Sequence, residues 1–229
     1  MNDDQRSSVD VRIREHYDAM WSSSDPWLFD TSAYEQRRFA HQIKLLSDRR
    51  YSRALEIGCG AGAFSRRLAG LTDQLVALDV SAVAIEKARA EHPALANTTF
   101  LAANVMEFNP CGQGPWDLVV LSETIYCLGW LYPLFDVGWM LSQLRDAMTS
   151  DGRLLLSNTF GHDRDYLLRP WLIKTYHDLV RNIGFELELN DTFVGTKDDT
   201  RFQVLTSRFK VSSFTEPAPT DPYAFSTES

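Results

Sequence analysis

A short apolar run, Ala54-Leu55-Glu56-Ile57, leads directly into Gly58-Cys59-Gly60-Ala61-Gly62, and a helix-forming stretch, Ala63–Ala69, follows. This junction constrains the fold more than any other feature of the chain. Glycines let a backbone turn sharply and approach a ligand closely, and the helix behind the turn points its amide end at the same place. In α/β sheets the ligand crevice opens at the carboxyl ends of such strands.

The alternation continues downstream. Leu75–Leu78 reads as a strand closing on Asp79, Ser81 caps a helix that runs to Glu91, and Pro93 stops it. Further strands are expected at Thr98–Ala102, Leu118–Leu121 and Leu154–Ser157, the last entered through a turn at Asp151-Gly152. Helices are expected at Leu134–Met148 and at Pro170–Asn182, the latter ended by Gly184. Phe185–Leu189 and Phe202–Phe209 have no helix between them and should pair as an antiparallel hairpin. The pattern predicts a doubly wound α/β domain with a mainly parallel, seven-stranded sheet.

Before the first strand, Val9, Ile13, Tyr17 and Met20 recur at helical spacing over 7–21, and a second helix is expected from Tyr34 to Leu46. Neither alternates with strands, so residues 1–50 are read as an N-terminal helical cap on a domain spanning 51–211. The stretch 212–229 carries Pro217, Pro219 and Pro222 among Ser, Thr and acids, and is expected to be disordered.

A net charge of −8 argues against a nucleic-acid partner held by a broad basic face. Cys59, Cys111 and Cys127 form no paired motif, the N-terminus lacks an apolar signal core, and no apolar run is long enough to span a membrane. A cytoplasmic protein with no membrane association is expected. His16, His41, His92 and His177 lack metal-ligand spacing, so no metal site is expected.

The glycine turn reads GxGxG. It departs from the GxGxxG dinucleotide pattern and lacks the GK[ST] ending of a phosphate loop. Glu56, two residues before the first glycine, would oppose a pyrophosphate but suits an ammonium group. Asp79 stands where an acid accepts both ribose hydroxyls. S-adenosylmethionine has the ammonium and the ribose and carries no phosphate. In these motifs, LEIGCGAG and LVALDV, the chain resembles the class I S-adenosylmethionine-dependent methyltransferases, as it does in WDLVVLSETIYCL at the fourth strand.

The resemblance implies a cofactor site of Glu56, Gly58, Gly60, Asp79, Val80, Asn104, Val105 and Ser122. In that family an acid after the third strand binds the adenine amine. Asn104 stands there, and its carbonyl can accept from the same group. The cap stretch Asp25-Pro26-Trp27-Leu28-Phe29-Asp30, with Tyr34-Glu35-Gln36-Arg37-Arg38, is similar to that of the rhizobial nodulation N-methyltransferases. The similarity runs over about residues 16–158. Those enzymes methylate the free amine of a deacetylated chitooligosaccharide. The resemblance therefore implies a small-molecule acceptor, preferably the amine of an amino sugar or oligosaccharide.

Two readings stand for Trp27, a cover over the adenosine end or a core aromatic. Two also stand for Arg38 and Arg37, a partner for the cofactor carboxylate or a solvated helix face. Methyl transfer needs alignment and exclusion of water. An amine must also lose its proton, and Glu123, directly after the fourth strand, is the first choice to hold it. Tyr126 would orient the amine or line the pocket. His162 would serve a hydroxyl acceptor in an O-methyltransferase. Trp130, Tyr132, Phe135 and Trp139 are expected to stack on sugar faces or to be buried against the sheet. A non-catalytic S-adenosylmethionine-binding protein and an NAD-dependent oxidoreductase remain as alternatives.

Overall fold

Burial on both faces shapes the sheet. In β1 (Tyr51–Ile57), Leu55 and Ile57 pack into one core cluster and Ala54 into another on the opposite side. In β4 (Trp116–Ser122), Val119 and Leu121 join the first cluster while Leu118 and Val120 join the second. Strands apolar on both faces need helices on both sides, which is the arrangement of a parallel sheet.

A computed structural model describes residues 3–23, 25–161 and 168–212. His162 and nearly all of the expected tail 212–229, apart from Ser212, lie outside the described residues. The remaining strands are β2 (Thr72–Asp79), β3 (Thr98–Ala102), β5 (Met148–Phe160), β6 (Phe185–Lys197) and β7 (Thr200–Val211). They form a seven-stranded sheet in the order β3-β2-β1-β4-β5-β7-β6. β1 pairs in parallel with both β2 and β4, so the chain switches direction across the sheet between β1 and β4. β7 is antiparallel to both β5 and β6. This is the fold expected from the sequence, a class I methyltransferase-like Rossmann sheet.

Helices α5 (Ile125–Leu131), α6 (Leu134–Asp146) and α7 (Pro170–Asn182) cover the first core cluster. The second is covered by α2 (Ala33–Leu46), α3 (Ser65–Leu68) and α4 (Ala82–Glu91). Phe39 and Leu46 of α2 are part of that cluster. Helix α1 (Asp3–Ser23) lies against α4, where Asp18 Oδ1 accepts from Ser81 Oγ at 2.6 Å and from the Val83 amide at 3.2 Å.

Three elements differ from the sequence expectation. Ile125–Leu131 is a helix that no amphipathic pattern announces, because it is apolar almost throughout; the Tyr176 hydroxyl packs where a side chain at Gly129 would stand. Asp151-Gly152 is an irregularity inside β5, between the pairs Trp116–Met148 and Leu118–Arg153. The final hairpin extends well beyond its apolar segments. It turns at Asp198 and Asp199, whose φ angles of 47° and 59° are left-handed, a conformation that Asp tolerates better than most residues.

Leu55 is fully buried at the centre of the sheet. Leu55→Ala is expected to lower unfolding stability by about 2–5 kcal/mol, read from urea denaturation as a shifted midpoint with an unchanged slope.

Candidate active site

The carboxyl ends of the central strands open into a cavity of about 320 Å³. Its floor is the glycine turn. The amides of Gly58 and Cys59 both donate to the Leu78 carbonyl, at 2.8 and 3.0 Å. The Gly60 amide donates to Asp79 Oδ2 at 2.9 Å, and the Ser81 amide to Oδ1 at 2.9 Å. Gly58 and Gly60 have φ of +80° and +55°. A Cβ on Gly58 would stand 2.6 Å from Thr124 Oγ1, and one on Gly60 would stand 2.7 Å from the Trp21 ring. Only glycine meets both demands at either position. Burial raises the pKa of Asp79, and the Ser81 and Gly60 amides act against that rise.

Of the residues singled out in the sequence, Trp27, Arg38, Gly58, Gly60, Asp79, Val80, Asn104, Val105, Ser122, Glu123 and Tyr126 all line this cavity. Glu56 does not; it is buried behind the turn. Its Oε2 has no hydrogen-bond partner among the described residues. Burial pushes its carboxyl up to about 7; Ser65 opposes the rise and the Asp79 charge adds to it. The side chain expected from the sequence to meet a ligand ammonium therefore lies outside the cavity lining.

At one end of the cavity charges alternate. Arg38 is buried and donates from Nε to Glu35 Oε2 at 2.8 Å and from Nη1 to Ser122 Oγ at 3.2 Å. Its Nη1 also lies 3.6 Å from Glu123 Oε1. Burial works against the Arg38 charge, and the Glu123 and Glu35 carboxylates outweigh it, so its pKa is raised. Arg37, by contrast, is exposed. Lys197, from the end of β6, donates to Glu35 Oε1 at 3.0 Å and to the Trp27 carbonyl at 2.7 Å.

Glu123 sits at a φ of 57°, unusual for a residue with a side chain. Its amide donates to the Ser157 carbonyl at 2.8 Å. Its Oε1 accepts from the Thr159 amide and hydroxyl, each at 2.9 Å. Burial raises its pKa, against Arg38 and Thr159. Tyr126 lines the same end, and burial raises its pKa well above the ordinary phenol value.

A second part of the lining is polar in a different way. Asn104 donates from Nδ2 to Asp10 Oδ1 at 2.8 Å and to the Tyr132 hydroxyl at 2.9 Å, and its Oδ1 accepts from the Met106 amide at 3.0 Å. Part of the lining is aromatic. Trp27 stacks on Phe29 with ring centroids 5.4 Å apart and meets Trp21 edge-on at 5.4 Å.

Sequence reasoning missed Asp10, Trp21, Lys197 and Phe202. Trp21 had a signal, since Ile13, Tyr17 and Trp21 recur every four residues as one stripe on α1 and all three line the cavity. Lys197 and Phe202 had none, because only the length of the hairpin brings them there. The aromatic group divides: Tyr132 is buried and lines the cavity, while Trp130, Phe135 and Trp139 are 59%, 79% and 59% exposed. Burial against the sheet does not describe those three. Among the described residues no cluster of His, Cys, Asp or Glu could hold a metal ion, and no helix is long and apolar enough to cross a membrane.

The family model for Nodulation protein S (NodS) matches residues 12–181. Nodulation protein S of Bradyrhizobium diazoefficiens is 32% identical over 148 residues, 64% of this chain and 66% of the relative. That of Rhizobium tropici is 29% identical over 151 residues, 66% of this chain and 60% of the relative. The chain thus matches somewhat less than two thirds of the length of these relatives. Among solved structures, the N-methyltransferase NodS of Bradyrhizobium japonicum with S-adenosyl-L-homocysteine superposes with a TM-score of 0.72 at 23% identity. The match covers 86% of this chain and 97% of that one, and it carries the fold.

Glu56 generates a pH dependence. Its carboxyl is raised from 4.5 to about 7 in the folded chain, so the folded state holds a proton that the unfolded state releases. The contribution to stability is fully present below about 4.5 and is lost as pH rises through about 7. Glu56→Gln removes it. The variant should gain stability relative to the parent between pH 5 and pH 8, measured by urea denaturation of both at each pH.

Proposed function

The chain belongs to the nodulation protein S family, and we propose that it is an S-adenosylmethionine-dependent N-methyltransferase of a small-molecule amine, with an amino sugar or oligosaccharide as the preferred acceptor. One observation carries the chemical part of this reading. A single cavity is lined both by a glycine turn held on Asp79 and by a pinned carboxylate, Glu123. The name of the superposed structure, an N-methyltransferase with S-adenosyl-L-homocysteine, supports it.

The residues suit the cofactor. The Gly58 and Gly60 backbone lets the amino-acid part approach closely, and no basic side chain of the turn calls for a phosphate. Asp79 keeps lone pairs beyond those taken by the Gly60 and Ser81 amides, and these accept the ribose hydroxyls. Val80, Asn104 and Val105 hold the purine. Arg38, with Nη1 beside Ser122, faces the carboxylate of the amino-acid part. Trp27 covers the nucleoside from the cap. When bound, S-adenosylmethionine supplies a methyl group on a sulfonium centre.

The acceptor amine enters between Glu123, Tyr126 and the hairpin arm carrying Lys197 and Phe202. Thr159 and Arg38 hold the Glu123 carboxylate still, and burial makes it more basic than an exposed glutamate. It hydrogen-bonds the amine and takes the proton that the nitrogen sheds on methylation. Tyr126 remains a neutral hydroxyl and orients the same nitrogen. We further propose a cytoplasmic location and no nucleic-acid partner, consistent with the net charge of −8.

Titration calorimetry is expected to give micromolar S-adenosylhomocysteine binding that Asp79→Ala abolishes, with no binding of NAD. Glu123→Gln should lower the turnover of an amino-sugar acceptor by about 100-fold or more while leaving that affinity intact. Full turnover in Glu123→Gln together with loss in His162→Ala would favour a hydroxyl acceptor. Affinity without turnover on any amine or hydroxyl would identify a non-catalytic binder.

A further inference from the structure

We propose that Asp10, on the cap helix, is a positioning residue that makes the cavity select a 6-aminopurine over a 6-oxopurine; the inference rests on the S-adenosylmethionine reading above. An asparagine amide can present either its oxygen or its nitrogen to a ligand, and its fixed partners decide which. For Asn104 those partners leave no choice. A carboxylate only accepts, so the amide nitrogen faces Asp10, 2.8 Å away. A backbone amide only donates, so the amide oxygen faces Met106, 3.0 Å away. Tyr132 closes the triangle: its hydroxyl donates to the same Asp10 Oδ1 at 2.5 Å and accepts from Asn104 Nδ2 at 2.9 Å.

Both Nδ2 hydrogens are therefore used, one on Asp10 and one on Tyr132. Asn104 Oδ1 has two lone pairs, and Met106 takes one of them. What Asn104 can offer the cavity it lines is an acceptor. The 6-amino group of adenine donates to such an acceptor, whereas the 6-oxo group of hypoxanthine meets it oxygen to oxygen. Asp10 itself does not line the cavity, so it acts through Asn104. The three residues are 6%, 5% and 4% exposed, which shields the triangle from water that could compete for Asn104. Nothing in the local sequence joins Asp10 to Asn104, 94 positions later.

The test titrates the full chain with S-adenosylhomocysteine and with S-inosylhomocysteine, which differ only at the 6-position and N1 of the purine. The parent should prefer the adenine ligand. Asp10→Ala, which removes the carboxylate that holds Nδ2 and leaves the Asn104 amide pinned by Met106 and Tyr132 alone, loosens its aim, and the preference should narrow by about tenfold, mainly through weaker adenine binding. Asp10→Ser serves the same purpose should the first variant fail to fold, with thermal unfolding reporting on both. Tyr132→Phe leaves Asp10 and Met106 in place and should keep the preference. A parallel loss of both ligands in the Asp10 variants, with the ratio unchanged, reduces Asp10 to packing and overturns the proposal. A parent that binds both ligands equally overturns it too, with the cofactor reading intact. A parent that binds neither overturns both.

Discussion

The Asp79 carboxylate is the fixed point of the molecule. Its two oxygens take the Gly60 and Ser81 amides, so one buried side chain clamps the glycine turn to the end of β2 and to the start of α4. Ser81 extends the clamp. Its hydroxyl accepts from the Ala84 amide at 3.1 Å as the cap of α4 and donates to Asp18 of α1. Two carboxylates from distant segments are thereby joined through one serine. Charged hydrogen bonds of this kind are stronger than neutral ones, and burial excludes competing water. The clamp also costs something, since burial works against the Asp79 charge.

The other end of the cavity obeys a similar economy with more partners. Lys197, Glu35, Arg38 and Glu123 alternate in sign, so no charge in the row is left uncompensated. That matters because removing one member of a buried ion pair is far more damaging than never having had the pair. Glu123 is also held in a left-handed backbone conformation, a state that costs about 1–3 kcal/mol for a residue with a side chain. Its hydrogen bonds to Ser157 and Thr159 hold that conformation in place. Strain retained at the rim of a cavity, and supported by so many bonds, is what a carboxylate with a fixed aim requires.

Local chemistry made the sheet legible in the sequence. The apolar runs at Leu55, Val119 and Leu155, the Ser81 cap and the glycine after α7 each carry their own signal, and each names its element. The cavity floor was legible for the same reason, because Gly58, Gly60 and Asp79 stand at strand ends. Features made by distant segments were not. Helix α5 is too uniformly apolar to show a period, and the reach of Lys197 depends on how far a hairpin continues past its apolar residues. The exposure of Trp130, Phe135 and Trp139 is a tertiary outcome that composition cannot supply. Asn104 is the most instructive case. The sequence located it after β3, but its orientation is decided by Asp10 and Tyr132, which only the folded chain brings beside it.

The bridge from Lys197 to the Trp27 carbonyl joins residues 170 positions apart, and the Tyr132–Asp10 bond spans 122. Contacts at such separations are slow to form, because chain must be closed into large loops before they return anything. The cavity has its walls only when α1 and the hairpin arm are both in place beside the central strands. A ligand of that cavity therefore has little to hold in the partly folded chain and acts on the finished state, raising its stability by mass action. Ligand concentration would then slow the loss of the native fold while leaving its formation rate nearly untouched.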